Sequence, residues 1–538
     1  MFFIFIPRHD SRIRCILYTF VVIFIFLISR LFYLQVFPSS EVLSGYESMQ
    51  SENISDSKYR LLDTNGKDLI KYNKKYVLVI DKKPFSLNNY EETLEDLMAL
   101  NFIMKNEYEN FNYTDVMKSS GKLYYTISED AYNKINELKN VKGIYTYVHD
   151  EADKKEAWTI SNILDQMPDK EKVVEDSLEE KIYNLTINNE EPKKNFSLND
   201  KYVYSKDKQI LVDDNTNIKL TVDEDIVEKI KEVLQKDEFK NLGNVGVSLM
   251  ESDTGKIRAL VQKDETQANI NLAIEGAGYE PGSVFKLITL GTALEEGKVS
   301  LSDVYTCNGH ICKTAHGNLT LQDALVKSCN DCIAKVGNEL GYDKIMEYSK
   351  KMGLFSRVLN IEGDGRNEAE GEIPKEEAGL NNISIGQCLT VSPLQILGAT
   401  NTIVNNGVYV KPYIIESTVD NEDNVIEEFE TEKHKVYSET TSKLMQKAMV
   451  EVVNRGTGVN AKVDGSTIGG KTGSATSGDK NTHGWFSGFF KIKNKTYTMT
   501  IFAPNIAGKG VTGEEVGGGN TAAPIFKEIV KSLNSQAK

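Results

Sequence analysis

The stretch Pro281-Gly282-Ser283-Val284-Phe285-Lys286 decides how the rest of the chain is interpreted. A proline before an apolar run is a helix-start signal, so Ser283 and Lys286 are predicted to lie in the first turn of a helix. Side chains three residues apart share one helix face, which lets the Lys286 amine take the proton of the Ser283 hydroxyl. The pair is therefore predicted to be a nucleophile and its general base.

Two further polar motifs follow in order, Ser328-Cys329-Asn330 and Lys471-Thr472-Gly473-Ser474. Taken singly, each of the three motifs has a plain structural explanation, as a helix cap, a turn or a surface strand. Their ordered co-occurrence is the signature pattern of penicillin-binding proteins and serine β-lactamases. The three motifs are therefore predicted to meet in one catalytic site.

The residues around these motifs resemble the transpeptidase domain of penicillin-binding proteins. Glu280-Pro281-Gly282-Ser283 is similar to the family's entry into the nucleophile helix, and Ser384-Ile385-Gly386-Gln387 to another recurrent stretch, although Cys388 stands where a glycine is usual. The likeness extends over about Leu220 to Lys531. Further segments share it: Gly456-Thr457-Gly458, Trp485-Phe486-Ser487-Gly488, Pro393-Leu394-Gln395 and, more weakly, Asp63-Thr64-Asn65-Gly66.

The resemblance implies an α/β fold of the penicillin-binding or serine β-lactamase-like type. Such a transpeptidase domain has an antiparallel sheet flanked by helices and a helical subdomain, preceded by a transmembrane helix and an α+β pedestal domain. Strand pairs are predicted independently from alternation and turn residues, Asn244–Met250 with Lys256–Val261 and Trp485–Phe490 with Tyr497–Ala503. Helical patterns dominate between them, so the sheet is expected to be assembled from both ends of the region.

Chemistry and resemblance assign the same roles to the motif residues. A serine hydroxyl is a weak nucleophile at neutral pH, so Lys286 is expected to be desolvated and neutral when it accepts the Ser283 proton. Ser328 is expected to pass the proton towards the leaving amine, and Asn330 to hold the amide groups of the substrate. The backbone amides of Ser283 and Ser474 would form an oxyanion hole. The substrate carboxylate is expected to bind the third motif, Lys471, Thr472, Gly473 and Ser474.

An apolar run near the N-terminus predicts a membrane anchor. Cys15–Ser29 carries no charge and, after Arg30, Leu31–Phe37 is apolar again, which together suffices to span ~30 Å of hydrocarbon. Arginines precede the run, so the N-terminus is expected in the cytoplasm and the catalytic domain outside it. A cleaved signal peptide is the alternative, but no small-x-small site follows. The expected organisation is a cytoplasmic tail at 1–14, an anchor at 15–37, a pedestal or dimerisation domain at 38–215 and a transpeptidase domain at 216–538.

Cysteines and histidines crowd the segment that leads into the second motif. The segment has Cys307 and Cys312, then His316, and then Cys329 and Cys332. Soft ligands spaced as Cys-x4-Cys-x3-His and Cys-x2-Cys are typical of zinc sites. We expect one structural zinc ion and no cofactor in the chemistry itself. Disulfides and simple packing are the alternatives, because cysteines form bridges outside the cell and also behave as small buried hydrophobes. Cys307 is expected only to pack, and the predicted ligands are Cys312, His316, Cys329 and Cys332.

The combined interpretation is a peptidoglycan D,D-transpeptidase that cross-links stem peptides through a Ser283 acyl-enzyme and binds β-lactams. The alternatives are a β-lactam-acylated sensor and a D,D-carboxypeptidase or β-lactamase of the same fold. The resemblance is to the monofunctional, class B type, which implies a membrane glycosyltransferase as partner, and the cysteine within the second motif resembles the sporulation-associated members. A formal net charge of −15 argues against nucleic acid as a partner.

Overall fold

The computed structural model describes residues 9–36, 49–118, 121–165, 173–199, 201–210, 215–274, 276–363, 365–477, 481–508 and 516–535. The contacts divide the chain into two compact units, each built from separate stretches. The first unit comprises Met1–Asp56, Asn73–Glu151 and Glu191–Val212, and the second comprises Ser57–Tyr72, Ala152–Glu190 and Asp213–Lys538. The domain limits at 38–215 and 216–538 stay predictions.

The first unit combines two three-stranded sheets with short helices. Leu78 and Ile80 in one sheet and Leu97 and Leu100 on a helix share one apolar core. The Ser128 hydroxyl accepts a hydrogen bond from Ala131 N and so starts the last helix. The role of this unit as a pedestal stays a prediction. The strands, in spatial order, are Lys122–Ile127, Tyr72–Asp81 and Ile144–Ala152 in one sheet and Met49–Asn53, Lys193–Leu198 and Tyr204–Ile210 in the other, and the helices are Lys82–Asn88, Leu94–Glu107, Tyr113–Met117 and Glu129–Glu137.

The second unit is organised around a five-stranded antiparallel sheet. Met499 pairs with Leu249, which confirms that the sheet is assembled from both ends of the region. The first hairpin turns at Gly255, whose φ of +83° is a conformation that glycine takes without steric cost. The strands, in spatial order, are Ile257–Gln262, Gly246–Glu251, Lys495–Ile506, Asn481–Ile492 and Gly469–Ser477.

Both faces of this sheet are buried. Along one central strand Phe486 and Phe490 belong to one apolar cluster, and Trp485 and Phe489 to the other, as the two-residue repeat of a strand requires. A strand that is apolar on both faces must be covered on both sides. The helices that pack on the sheet include Glu224–Leu234, Pro393–Val404 and Ala522–Ser535.

The remainder of the second unit is mainly helical, with three small sheets. It agrees with the predicted α/β transpeptidase fold, in which helices and a helical subdomain flank an antiparallel sheet. The helices are Ile160–Asp165, Leu178–Thr186, Lys286–Glu295, Leu321–Val326, Asn330–Leu340, Tyr342–Lys351, Leu380–Ile383 and Glu439–Arg455. The sheets pair Val304–Cys307 with Gly317–Thr320, Val408–Val410 with Lys433–Lys435, and, in order, Val425–Glu428, Ile415–Val419, Asn217–Leu220 and Leu61–Leu62.

The membrane prediction requires correction. Within the described ranges, no helix combines the length and the apolar character that crossing a membrane demands. The helix His9–Val36 begins with the polar and charged run His9-Asp10-Ser11-Arg12 and has a further charge at Arg30. The predicted single-pass localisation with an anchor at 15–37 is therefore wrong on this finding. Residues 1–8 of the predicted tail and residue 37 of the predicted anchor lie outside the described residues.

Candidate active site

Ser283 lies in a short 3-10 turn, Gly282–Val284, which leads directly into the helix Lys286–Glu295. The backbone at Gly282 has φ +52°, and a Cβ there would come within 2.4 Å of the carbonyl oxygen of Ser474. Glycine therefore lets the turn approach the strand that carries Ser474. A hydrogen bond of 3.0 Å from Gly282 N to Gly386 O fixes the turn further. The motif thus presents a half-buried serine beside the third motif.

Lys286 is fully buried at the start of the helix that follows Ser283. Its Nζ donates to Ser328 O at 2.7 Å, to Ser328 Oγ at 3.1 Å and to Asn330 Oδ1 at 2.6 Å. Burial lowers the pKa of Lys286 to about 7, although the nearby thiols of Cys329 and Cys312 act in the opposite direction. An amine whose pKa lies near neutrality is uncharged for a large fraction of the time, as a general base must be.

The hydroxyl of Ser328 lies between two lysine amines. Ser328 Oγ accepts from Lys286 Nζ at 3.1 Å and from Lys471 Nζ at 3.0 Å. Because both amines donate to it, the hydroxyl proton of Ser328 is available to a group in the cleft. The backbone at Ser328 has φ +56°, a conformation that non-glycine residues rarely adopt outside strained functional sites. Holding this hydroxyl in place therefore has a cost in conformational free energy at Ser328.

Lys471 is also fully buried, on the edge strand of the central sheet. Its Nζ donates to Thr472 O at 2.9 Å. Burial, and then the charge of Lys286, hold the pKa of Lys471 well below its usual range. A carboxylate bound beside this amine would favour its charged form, so the site is suited to an anionic ligand. A Cβ at Gly473 would lie 2.6 Å from Pro281 O, which explains the glycine of the third motif.

The three motifs open into one cleft with a volume of about 440 Å³. Sequence reasoning did not name two of its components, Asn460 and the segment Gly517–Asn520. Gly518 N donates to Ser474 Oγ at 3.1 Å, and Asn460 Nδ2 donates to Gly519 O at 2.8 Å. The run of three glycines was the available signal, because consecutive glycines mark a close backbone approach. Thr457, from a flanking segment that resembles the family, also lines the cleft. The predicted motifs contribute Ser283, Ser328, Thr472 and Ser474 to the lining.

The flanking segments that carry the family resemblance pack around the Ser283 turn. Trp485 Nε1 donates to Glu280 O at 3.0 Å, and Thr289 Oγ1 donates to Ser384 O at 2.8 Å. The carboxylate of Glu280 accepts from Cys388 N at 2.8 Å. Cys388, at the position where the family usually has glycine, is exposed and has φ +61°. These contacts fix the turn from outside the cleft.

Three cysteines and one histidine, here called the thiol cluster, bring their ligand atoms within 4.8 Å of one another. Cys307 Sγ lies 3.4 Å from His316 Nδ1, and Cys312 Sγ lies 3.7 Å from Cys329 Sγ. Tetrahedral zinc, with bonds of ~2.0 to 2.3 Å, separates its ligands by roughly 3.3 to 3.8 Å. The donor types and their spacing therefore fit zinc. The members are Cys307, Cys312, His316 and Cys329.

The thiol cluster differs from the predicted ligand set at one residue. Cys307, expected only to pack, belongs to it, whereas Cys332 Sγ donates to Tyr305 O at 3.7 Å. The reason is the strand pairing of Cys307 with Gly317, which brings Cys307 beside His316. The cysteines from 307 to 388 are free thiols, and burial raises the pKa of Cys329 and Cys332.

The thiol cluster shares Cys329 with the second motif and contacts the adjacent Asn330. Asn330 N donates to Cys312 Sγ at 3.2 Å, and Asn330 Oδ1 accepts from Lys286 Nζ. Asn330 is therefore bound through its backbone to the thiol cluster and through its side chain to the candidate base. The predicted catalytic residues Ser328 and Asn330 lie within reach of Lys286. Of the predicted carboxylate-binding residues, Thr472 and Ser474 line the cleft, and Lys471 contacts it through the Ser328 hydroxyl.

Solved structures of other proteins share the fold of this chain. A peptidoglycan synthetase from Bifidobacterium adolescentis is similar in structure, with a TM-score of 0.62 and 20% identity over 91% of this chain and 96% of that chain. Penicillin-binding protein 3 from Mycobacterium tuberculosis, complexed with aztreonam, has a TM-score of 0.59 and 19% identity over 90% and 97%. The fold is therefore shared with penicillin-binding proteins.

The chain belongs to the penicillin-binding protein transpeptidase family, whose model, described as penicillin binding protein transpeptidase domain, matches residues 245–531, more than half of the chain. Stage V sporulation protein D of Bacillus subtilis is 33% identical over 291 residues, 50% of this chain and 44% of that protein. PbpB of Mycolicibacterium smegmatis is 28% identical over 365 residues, 60% of this chain and 54% of that protein. The chain spans about half the length of the curated relatives it matches. The family predicted from the motifs is confirmed.

Proposed function

We propose that the protein is a peptidoglycan D,D-transpeptidase that reacts through an acyl-enzyme on Ser283. The observation that carries the proposal is the Ser328 hydroxyl held between the amines of Lys286 and Lys471, in a cleft that Ser283 also lines. Family membership supports it, as does the name of a relative from Mesostigma viride, peptidoglycan D,D-transpeptidase FtsI homolog, which is 26% identical over 385 residues.

In the proposed acylation, neutral Lys286 takes the proton of Ser283 Oγ as the oxygen attacks the carbonyl carbon between two D-alanines. Lys286 Nζ contacts Ser328 and Asn330 before substrate binds, and it must turn towards Ser283, as catalytic contacts often tighten in the complex. The proton then passes through Ser328 Oγ to the leaving nitrogen. The C–N bond breaks, D-alanine departs with that proton, and an ester to Ser283 remains.

The substrate is proposed to bind along the third motif. Lys471, Thr472 and Ser474 face the terminal carboxylate, whose charge restores the cationic form of the buried Lys471. Asn330 offers its amide to the peptide backbone. The backbone N–H groups of Ser283 and Ser474 receive the developing oxyanion, a feature that costs ~3 to 4 kcal/mol when one donor is removed in other enzymes.

The acyl group is then proposed to pass to the amine of a neighbouring stem peptide, which forms the cross-link and frees Ser283. The free Ser283 hydroxyl is proposed to attack β-lactams in the same way: their strained ring carbonyl takes the place of the peptide carbonyl, the ring C–N bond opens, and the opened ring stays attached as an ester. The reaction joins peptides and makes no glycan, so we propose a glycosyltransferase as partner.

We also propose that the thiol cluster binds one zinc ion through Cys307, Cys312, His316 and Cys329. Bound zinc would supply deprotonation of the buried thiols and a cross-link between the segments that carry them. The chain itself already orients Cys312 by the hydrogen bond from Asn330 N. Elemental analysis of the purified chain, with a Cys312→Ser variant beside it, tests the stoichiometry: about one zinc per chain is expected, and none in either protein would contradict the assignment.

The activity is tested by incubating the full chain with a peptide ending in D-Ala-D-Ala and an amine acceptor, with Ser283→Ala as control. A cross-linked product that the variant does not make supports the transpeptidase. Release of D-alanine with only a hydrolysed donor would assign a carboxypeptidase instead. Penicillin acylation without any peptide turnover would assign a sensor, and product formation by Ser283→Ala would contradict the nucleophile.

A further inference from the structure

Asp331 is a buried acid that the catalytic scheme does not use. It follows Asn330 in the first turn of the helix Asn330–Leu340 and is 3% exposed. A buried carboxylate costs free energy unless charge or hydrogen bonds compensate it. Within the described ranges, no lysine, arginine or histidine forms an ion pair with it. The compensation for Asp331 must therefore come from hydrogen bonds.

Those hydrogen bonds come from consecutive backbone amides of one loop and from the Cys307 thiol, whose Sγ donates to Asp331 Oδ2 at 3.4 Å. Gly309 N and His310 N donate to Asp331 Oδ2 at 2.7 and 3.1 Å, and Ile311 N donates to Oδ1 at 2.6 Å. Cys312 N lies 3.4 Å from the same Oδ1. Successive amides that converge on one anion form a nest, and hydrogen bonds to a charged group are the strong ones. The Asp331 carboxylate therefore contacts the backbone N–H groups of all four residues from 309 to 312.

The Asp331 carboxylate does not cap the N-terminus of its own helix. The position before the helix is Cys329, and no side chain makes a cap hydrogen bond there. Instead, Asp331 joins the start of the helix to the loop that contributes Cys312. Asn330 N reaches the same loop, at Cys312 Sγ. Two adjacent residues, one of them in the second motif, thus bind one loop.

We propose that Asp331 is a positioning residue: its carboxylate fixes residues 309–312 against the helix Asn330–Leu340 and so holds both Asn330 and Cys312 in place before substrate or metal binds. The inference rests on the proposed function, since its effect is read through acylation at Ser283. Asp331 touches neither the substrate nor Lys286 in this scheme. It acts through Asn330 on one side and through Cys312 and Cys307, whose thiol donates to its Oδ2, on the other.

The test compares Asp331→Asn with Asp323→Asn in the full chain. Asparagine keeps the shape but replaces one acceptor oxygen with a donor, so the nest loses its anion. Asp323 is a matched control because it lies in the first turn of the neighbouring helix Leu321–Val326 and pairs with Arg455 at 2.8 Å near the surface. Stopped-flow acylation by a fluorescent penicillin separates non-covalent binding from the acylation rate constant.

Asp331→Asn is expected to lower the acylation rate constant by roughly tenfold or more, as outer partners of functional groups do elsewhere. Its non-covalent penicillin affinity should change less than its rate, because the third motif is intact. Its affinity for zinc added alone, measured against a chelator, should fall as well. Asp323→Asn should match the parent protein in all three measurements. Equal acylation rates in the two variants would overturn the inference.

Two further measurements distinguish a failure of the inference from a variant that does not fold and from a failure of the proposed function. If Asp331→Asn does not fold, amide hydrogen exchange on the metal-free parent protein decides: slow exchange at residues 309–311 is expected, and exchange as fast as in an open loop would overturn the inference. Penicillin labelling that survives Ser283→Ala would reject the proposed function instead, whatever Asp331 does.

Discussion

Ser328 and Cys329 are neighbours in one turn, yet their side chains lie in two different surroundings. Ser328 Oγ lies between the amines of Lys286 and Lys471, and burial lowers the pKa of both lysines. Cys329 Sγ lies 3.7 Å from Cys312 Sγ, and burial raises the pKa of its thiol. The lysine side therefore holds amines whose lowered pKa suits proton transfer, whereas burial keeps the thiols on the other side protonated until a bound metal would displace their protons.

We propose that the proton-transfer chemistry and the metal site lie on two sides of this one backbone turn. Asn330 joins them, because its side chain faces Lys286 and its backbone N–H faces Cys312. Changes on the lysine side should therefore stop the chemistry while zinc binding persists. Changes on the thiol side should weaken zinc binding and reach the chemistry only through the backbone.

The largest effect is expected on the lysine side from Lys286→Ala. General bases contribute ~10² to 10⁴ in rate, and removal of this amine should slow penicillin acylation by about 10³-fold with zinc content unchanged. The exposed Lys298→Ala is the control, since it lies on the surface of the same region. An acylation rate in Lys286→Ala within tenfold of the parent rate would mean that another group is the base.

Ser328→Ala should have the next largest effect. It removes the hydroxyl that both amines contact and leaves Cys329 in the turn. We expect a fall of about 10²-fold in acylation, in the range of a proton-transfer group, and an unchanged zinc stoichiometry. Stopped-flow acylation and elemental analysis on the same sample check both parts. Loss of zinc with full acylation would reverse the contrast between the two sides.

The pH dependence of acylation sharpens the role of Lys286. Its protonated form cannot accept the Ser283 proton, and its pKa is lowered to about 7. The acylation rate should therefore fall about tenfold per pH unit below that value and level off above it. A rate profile over pH 5 to 9 measures this directly. A profile that is flat between pH 5 and 7 would contradict a lysine base.

The smallest effect on chemistry is expected from the thiol side. Cys312→Ser removes one cluster thiol and the acceptor of Asn330 N. We expect zinc affinity to fall at least tenfold and acylation to slow by less than tenfold, because the lysine network remains. Cys388→Ser is the matched control, since that thiol is exposed and outside the cluster. Acylation that stops altogether in Cys312→Ser would place the thiols within the chemistry.

Much of the site could be predicted from the sequence because its residues lie in short motifs. Ser283 and Lys286 share a helix start, and helical spacing alone predicts that they face the same way. Strand alternation likewise predicted the two hairpins of the central sheet. The order of the three motifs along the chain indicated the family. The family model that matches residues 245–531 confirms it.

What the sequence did not predict depends on contacts between distant segments. The choice of Cys307 over Cys332 follows from the pairing of Cys307 with Gly317, which spacing cannot show. Asp331 gathers backbone amides some twenty residues earlier in the chain, and backbone donors leave no trace in residue identity. Asn460 reaches the cleft through a hydrogen bond to Gly519, a contact between segments far apart in sequence.

Ser283 is proposed to be the nucleophile of an acyl-enzyme. The most direct test of that role is mass spectrometry of the full chain after brief exposure to a penicillin, followed by peptide mapping of the adduct. We expect one penicillin per chain, attached to the peptide that contains Ser283, and no adduct in Ser283→Ala. An adduct on any other residue, or one that persists in Ser283→Ala, would contradict it.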